Sequence, residues 1–374
     1  MRKIITLLCV LTMIITGSTG VFAMSESADC ACVINGTTGE IIFSKDETER
    51  HAMASTTKIM TAVVALERCR MDEVVSISAN AANQEGSAAY VEPGMQIYMR
   101  DLLYGLMLNS GNDAAVAIAE HIAGSVEAFA GLMNEKVREL ELNDTHFVNP
   151  SGLDAPEHYT TALDLALVAR YAMTIPEFRE IVETSKYQAQ LVNSDKMLYF
   201  KNHNKMLKLY ENATGIKTGF TRATGRCLVS SAKRDGMEFI AVTLGDANDW
   251  KNHQEMLDYS FSMHYPKKVV EEGMRVKEAK IGGNKYNMVA ASDFIVPLKE
   301  SGGNTVDVIS HIAKNLVAPI NAGEKVGYLE IRCGGETVGS VDIISESEIR
   351  SLGDMRIRNS FSSCLIRVLN KLLI

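Results

Sequence analysis

The sequence predicts an α+β protein: an antiparallel sheet covered by helices, then a small all-β domain, then an amphipathic C-terminal helix. Three observations carry this. β-rich runs near residues 31–44 and 227–244 flank a long block of helical periodicity. After Tyr265-Pro266 that periodicity gives way to short apolar runs cut by glycine and polar turns. The last stretch, 356–374, interleaves apolar side chains with Arg367 and Lys371 at helical spacing.

In chain order, residues 1–23 read as a secretory signal. Arg2 and Lys3 make its charged start, Ile4 to Ile15 its apolar core, and Val21-Phe22-Ala23 its small-residue cleavage site. The core is short for a span, which needs about 20 apolar residues. From Ala31 to Ser44 two β-rich runs flank Asn35-Gly36-Thr37-Thr38-Gly39, a hairpin signal. Helical patterns follow at Ser55–Glu67, Asp101–Leu108, Asp113–Ile122, Val126–Glu141, Ala162–Tyr171 and Pro176–Thr184. The stripe Phe129, Leu132, Met133, Val137 and Leu140 reads as core packing. Strands are expected at Cys227–Ser231 and Phe239–Leu244, and helix Lys251–Met263 closes the domain over 24–264.

Residues 265–352 read as a β-sandwich or barrel with strands at Lys267–Val270, Met288–Ala291, Phe294–Val296, Thr305–Ile309 and Lys325–Ile331. It carries no catalytic cluster, so a spacer or docking role is expected. In the tail, 353–374, Phe361, Leu365, Val368, Leu369 and Leu372 share a helical face. Such a basic amphipathic helix is expected to lie in a membrane interface, with packing on the domain as the alternative, and it is too polar and short to cross.

Composition narrows the function. The chain carries a formal net charge of −8, and losing Arg2 and Lys3 makes it more acidic, which does not favour nucleic acid. A hydrophobic content of 46% is enough for a sizeable core. Cys9 leaves with the signal, and Cys30, Cys32, Cys69, Cys227, Cys333 and Cys364 remain. Cys30-Ala31-Cys32 is too tight for a zinc knuckle and reads as strand residues on one face. Cys69 near Cys30 or Cys32 is a possible disulfide, although pairing does not follow from sequence. His146 and His158 sit in a Pro/Gly-rich loop without an H-E-x-x-H pattern, so no metal and no cofactor is expected.

The chemistry is written in three short motifs. Ser55-Thr56-Thr57-Lys58 opens an almost wholly apolar run. A lysine in the first turn of a buried helix faces the positive end of the macrodipole and a desolvation cost of several kcal/mol. Three residues apart, Lys58 reaches the Ser55 hydroxyl, which pairs a nucleophile with a base. The pattern is short and recurs at Ser230–Lys233, and a serine there also serves as an N-cap. Ser110-Gly111-Asn112 follows the apolar stretch Leu102–Leu108, and Lys217-Thr218-Gly219 precedes a strand. S-x-N recurs at Ser78-Ala79-Asn80, whereas K-T-G occurs once. The order S-x-x-K, S-x-N, K-T-G is that of penicillin-binding proteins and class A β-lactamases, the latter with S-D-N.

On these motifs the chain resembles the low-molecular-mass penicillin-binding proteins, the serine-type D-alanyl-D-alanine carboxypeptidases. Ala54–Ala62, Leu108–Ala115, His146–Leu153 and His158–Ala162 strengthen the likeness. It implies a penicillin-binding/β-lactamase-like transpeptidase domain acting on peptidoglycan stem peptides ending in D-Ala-D-Ala, and acylation by β-lactam antibiotics. It implies Ser55 as nucleophile, Lys58 as base and Ser110 as proton relay to the leaving D-alanine. Asn112, Lys217, Thr218 and Gly219 would bind substrate, and the backbone N–H groups of Ser55 and Phe220 would form the oxyanion hole. Rival implications of the same pattern are a β-lactamase, a D,D-endopeptidase or a catalytically idle wall-binding protein. One departure stands out. Many members carry an arginine beyond the K-T-G strand for the terminal carboxylate, and no arginine lies between Arg234 and Arg275 here. Lys251 would substitute, or Lys217 and Thr218 would act alone.

Overall fold

The computed structural model describes residues 27–281, 284–302, 305–313 and 316–350. The signal segment and the tail helix lie outside them. The first unit contains strands β1 (Cys30–Asn35), β2 (Ile41–Lys45), β3 (Val74–Ser76), β4 (Gln96–Tyr98), β5 (Lys186–Gln190), β6 (Met197–Lys201), β7 (Ala213–Thr221), β8 (Gly225–Arg234) and β9 (Met237–Leu244). Its helices are α1 (Lys58–Arg68), α2 (Ala79–Ala82), α3 (Met99–Leu108), α4 (Asn112–Ala123), α5 (Val126–Glu139), α6 (Ala162–Ala172), α7 (Pro176–Glu183), α8 (Met206–Leu209) and α9 (Asp249–Ser262).

The main sheet is antiparallel in the order β2-β1-β9-β8-β7, so the earliest and latest strands of the unit lie side by side and β7 is an edge. Alternation along each strand sends side chains to both faces. Cys30, Cys32, Ile34, Val229, Ile240 and Val242 join the large core under α1, α3, α4 and α6. Ala31, Val33, Leu228, Phe239 and Ala241 join a second core with Met256, Leu257 and Phe261 of α9. A sheet buried on both faces explains why its strands read as apolar runs rather than alternations.

The second unit adds β10 (His264–Val270), β11 (Arg275–Ile281), β12 (Asn284–Ala290), β13 (Phe294–Lys299), β14 (Val306–Ile312), β15 (Lys325–Cys333) and β16 (Glu336–Ser345). They form an antiparallel sheet in the order β11-β12-β16-β15-β14 and the pair β10-β13 around a core of their own. The units meet where Lys299 Nζ lies 2.6 Å from Glu40 Oε1 and Glu300 N donates to Met263 O at 3.0 Å.

Two expectations need correction. The nucleophile helix does not begin at Ser55: residues Ala54–Thr57 form a 3₁₀ turn, and α1 begins at Lys58. Thr56 Oγ1 donates to Met53 O at 2.6 Å and Thr57 Oγ1 to Ala54 O at 2.9 Å, bonds that tighten the turn. The suggested disulfide is absent, since all five described cysteines are free. Cys69 caps the end of α1, where its thiol bonds Glu73 instead.

Candidate active site

The three motifs come from separate elements and meet at one cleft of about 310 Å³. Ser55 sits on the 3₁₀ turn, Lys58 begins α1, Ser110 and Asn112 flank the start of α4, and Lys217-Thr218-Gly219 lies on edge strand β7. Ser55, Ser110, Thr218, Gly219 and Phe220 all line the cleft.

Lys58 is fully buried at 0% exposure. Its Nζ lies 2.9 Å from Ser55 Oγ, 2.7 Å from Asn112 Oδ1 and 2.5 Å from Ser151 O. Asn112 Nδ2 donates to Glu85 O at 2.6 Å, which fixes its Oδ1 toward the lysine. A neutral amine has two protons and one lone pair. Asn112 Oδ1 and the Ser151 carbonyl only accept, so they take both protons, and the lone pair is left for the Ser55 hydroxyl. Burial is the larger cause holding Lys58 well below the ordinary lysine value. The Lys217 charge adds to it, and Asp113 opposes. Lys217 is itself 1% exposed, burial lowers it to about 7, and its Nζ donates to Thr218 O at 2.9 Å.

The backbone around the nucleophile is held in uncommon conformations. Ala54 has φ +47° and Ser110 φ +60°, left-handed values unusual for side-chain-bearing residues. Gly152, at φ +88°, packs so closely that a Cβ there would lie 1.9 Å from Ala54 O. A Cβ on Gly219 would lie 3.1 Å from both Ser55 N and Met53 O, so only glycine lets β7 come this near the turn. Ser110 Oγ is buried and has no hydrogen-bond partner among the described residues. A hydroxyl left unpaired beside a nucleophile is free to exchange a proton with a ligand.

Several contributors lie outside the three motifs, and the two stretches of likeness at His146–Leu153 and His158–Ala162 gave them no role. The Ser151 carbonyl is one. His158 is another: its Nδ1 accepts from Val148 N at 3.1 Å, so Nε2 carries the proton and donates to Thr57 Oγ1 at 2.7 Å. Burial lowers His158 to about 4, so the ring is neutral. An arginine also reaches the cleft from β8. Arg226 pairs with Phe220 across the hairpin and lines the cleft. Its Nε and Nη2 are gripped by Asp249 at 2.8–3.1 Å, leaving Nη1 clear of that pair. Hairpin register from Gly219 was the available signal. Lys251 does not line the cleft: it is exposed and pairs with Glu255 at 3.5 Å. The second S-x-x-K match is structural, with Ser230 Oγ bonded to His253 Nδ1 at 2.6 Å, and Ser78 of the second S-x-N caps α2.

Comparison with known proteins agrees over most of the chain. The family described as D-alanyl-D-alanine carboxypeptidase matches residues 18–248, and that described as penicillin-binding protein 5, C-terminal domain, matches residues 265–351. The D-alanyl-D-alanine carboxypeptidase DacF of Bacillus subtilis is 32% identical, covering 94% of this chain and 96% of its own. The crystal structure of D-alanyl-D-alanine carboxypeptidase DacD from Francisella tularensis aligns with TM-score 0.61 at 27% identity, over 87% of this chain and 94% of that one. The Streptomyces K15 DD-transpeptidase structure aligns with TM-score 0.61 at 32% identity, over 63% of this chain and 98% of that one.

Proposed function

This chain belongs to the D-alanyl-D-alanine carboxypeptidase family, and we propose that it works by acyl transfer through Ser55. It is a serine-type D-alanyl-D-alanine carboxypeptidase, and its substrates are peptidoglycan stem peptides. Relatives named for this activity favour it over a β-lactamase or an idle wall-binding protein.

The neutral Lys58 amine takes the Ser55 proton as Oγ attacks the penultimate D-alanine carbonyl. The N–H groups of Ser55 and Phe220 hold the oxyanion, an arrangement typically worth about 3 kcal/mol per donor. Ser110 passes the proton to the leaving D-alanine nitrogen. Water then attacks the ester, Lys58 takes its proton, and Lys58 returns that proton to Ser55 Oγ as the acyl bond breaks. Asn112 orients Lys58 and the substrate amide, and the peptide adds as a strand along β7 beside Gly219. Lys217, Thr218 and Arg226 take the terminal carboxylate. A β-lactam enters the same path and leaves a slowly hydrolysed ester on Ser55.

The observation that carries this reading is a fully buried lysine whose only proton-donating partner among the described residues is the Ser55 hydroxyl. Residues 1–23 export the chain, residues 24–264 form the catalytic unit, and 353–374 seat it on the outer membrane face. Among the described residues no single helix is long and apolar enough to cross a membrane. Intact-mass measurement with labelled penicillin, together with D-alanine release from a stem pentapeptide, tests the reading. One adduct on Ser55, absent in Ser55→Ala, is expected. A wild-type chain that neither takes the label nor releases D-alanine would end it.

A further inference from the structure

Cys69, Glu73 and His121 converge on the side of the first unit away from the catalytic motifs, and their ligand atoms all lie within 4.8 Å of one another. Each comes from a different place. Cys69 caps the C-terminal end of α1, Glu73 precedes β3, and His121 lies in the last turn of α4. We propose that these three side chains form a binding site for a zinc-type divalent ion that ties together the rear ends of α1 and α4.

The donor set selects the ion class. Thiolate, imidazole and carboxylate together suit zinc and its neighbours, whereas calcium and magnesium take oxygen donors. The spacing fits as well. With bonds of about 2.0–2.2 Å, neighbouring nitrogen and oxygen ligands on a tetrahedron sit roughly 3.4 Å apart. His121 Nε2 and Glu73 Oε2 are 3.3 Å apart. The carboxylate is oriented from behind, since Glu73 Oε1 accepts from Arg70 N at 2.8 Å, and the backbone that carries it is held where Met99 N donates to the Glu73 carbonyl at 2.8 Å. The Arg70 guanidinium is engaged by Asp72 at 2.6–3.0 Å. Partial exposure, 26% for the His121 side chain and 39% for Glu73, gives an entry path and room for water as a fourth ligand. Binding replaces the Cys69 thiol proton, which passes to solvent; the metal charge outweighs the burial that otherwise holds it on.

The ion's position gives it a structural task. α1 starts at Lys58 and α4 at Asn112, so a link at their far ends stiffens the pair of helices whose front ends face the cleft. The test uses the full mature chain with Co²⁺ as a spectroscopic probe and Zn²⁺ as competitor. One Co²⁺ per chain with a thiolate-to-metal absorption band is expected, displaced by Zn²⁺ and missing in Cys69→Ser. Affinity should fall roughly tenfold or more in Glu73→Gln and His121→Gln. At about a hundredfold excess over Kd, Zn²⁺ should raise the thermal midpoint by roughly 5 °C in the wild type only. Penicillin acylation of each variant reports that it has folded, because none of the three residues lines the cleft. Three wild-type or variant results would overturn the proposal: no thiolate band, no thermal shift, or a band that survives Cys69→Ser and so belongs to another cysteine.

Discussion

At the residue scale, the proposed mechanism divides the work between two lysines with lowered proton affinities. Lys58 must lose its proton to act, and burial beside Lys217 makes that easy. Lys217 must keep its proton to attract a carboxylate, and burial lowers it to about 7. The expected profile of kcat/KM is therefore a bell: it rises as Lys58 deprotonates and falls through about pH 7 as Lys217 does. A bound carboxylate favours the charged form of Lys217, so the falling limb of kcat should lie at higher pH than that of kcat/KM. Steady-state kinetics on a stem pentapeptide checks this, and coincident falling limbs would remove Lys217 from carboxylate binding. Arg226 is tested differently, because removing it alone strands Asp249, whose side chain is 3% exposed. The double change Arg226→Gln with Asp249→Asn keeps the site neutral. It should cost roughly 10- to 100-fold in kcat/KM, the worth of a charge-assisted hydrogen bond, while the S55-directed adduct still forms. The contrast in legibility is physical. The meeting of Ser55, Lys58 and Lys217 at one site was legible because the roles expected of them, nucleophile, base and cation, each need a particular residue in a short segment. Arg226 was not, because its place depends on strand register across the β7–β8 turn, and the part His158 plays was not, because its stretch of likeness does not say that the ring reaches Thr57, 101 residues away.

At the scale of elements, the nucleophile turn depends on a relay of neutral groups. His158 donates to Thr57 Oγ1, and Thr57 Oγ1 donates to Ala54 O, the carbonyl of a residue held at φ +47°. Thr57→Val keeps the shape and deletes the hydroxyl, so the buried His158 N–H loses its acceptor and Ala54 O loses this donor. A loss of about 1–3 kcal/mol in stability is expected, with slower acylation, because the turn that presents Ser55 is no longer pinned. Thr57→Ser keeps the hydroxyl and should restore both. Urea unfolding and acylation rates for the two variants decide the matter; a Thr57→Val chain as stable and fast as Thr57→Ser would show the relay to be idle. Helices α3 to α7 and strands β1, β2, β8 and β9 of the main sheet were readable because each spans enough residues to show a period or a turn signal, whereas β7 was read only as the stretch before a strand. The three-residue strands β3 and β4 are too short to show one. Strand β11 is half exposed, with charge on both faces, so it reads as loop.

On the scale of the whole molecule, the two units have separate cores and share few contacts. Every buried apolar residue of the second core comes from Val270 onward, and none from the catalytic motifs. The junction holds the Lys299–Glu40 ion pair, the Glu300 N–Met263 O bond and the close approach of Ile295 to Gly236. Strand β9, which faces β13 there, already has both its edges paired, to β1 and β8, so losing the second unit removes no rung from the main sheet. The Streptomyces K15 structure aligns over 98% of its own length to 63% of this chain. A chain ending at Tyr265 should therefore fold and acylate with penicillin at an unchanged rate constant. Its thermal midpoint should drop modestly, because Gly236 and its surroundings lose their cover and the Lys299–Glu40 pair is gone. Circular dichroism with stopped-flow acylation makes the comparison. A truncated chain that retains its helical signal but no longer acylates would mean that the β-rich unit reaches into the catalytic geometry, through β9 and the hairpin that carries Lys217 and Arg226.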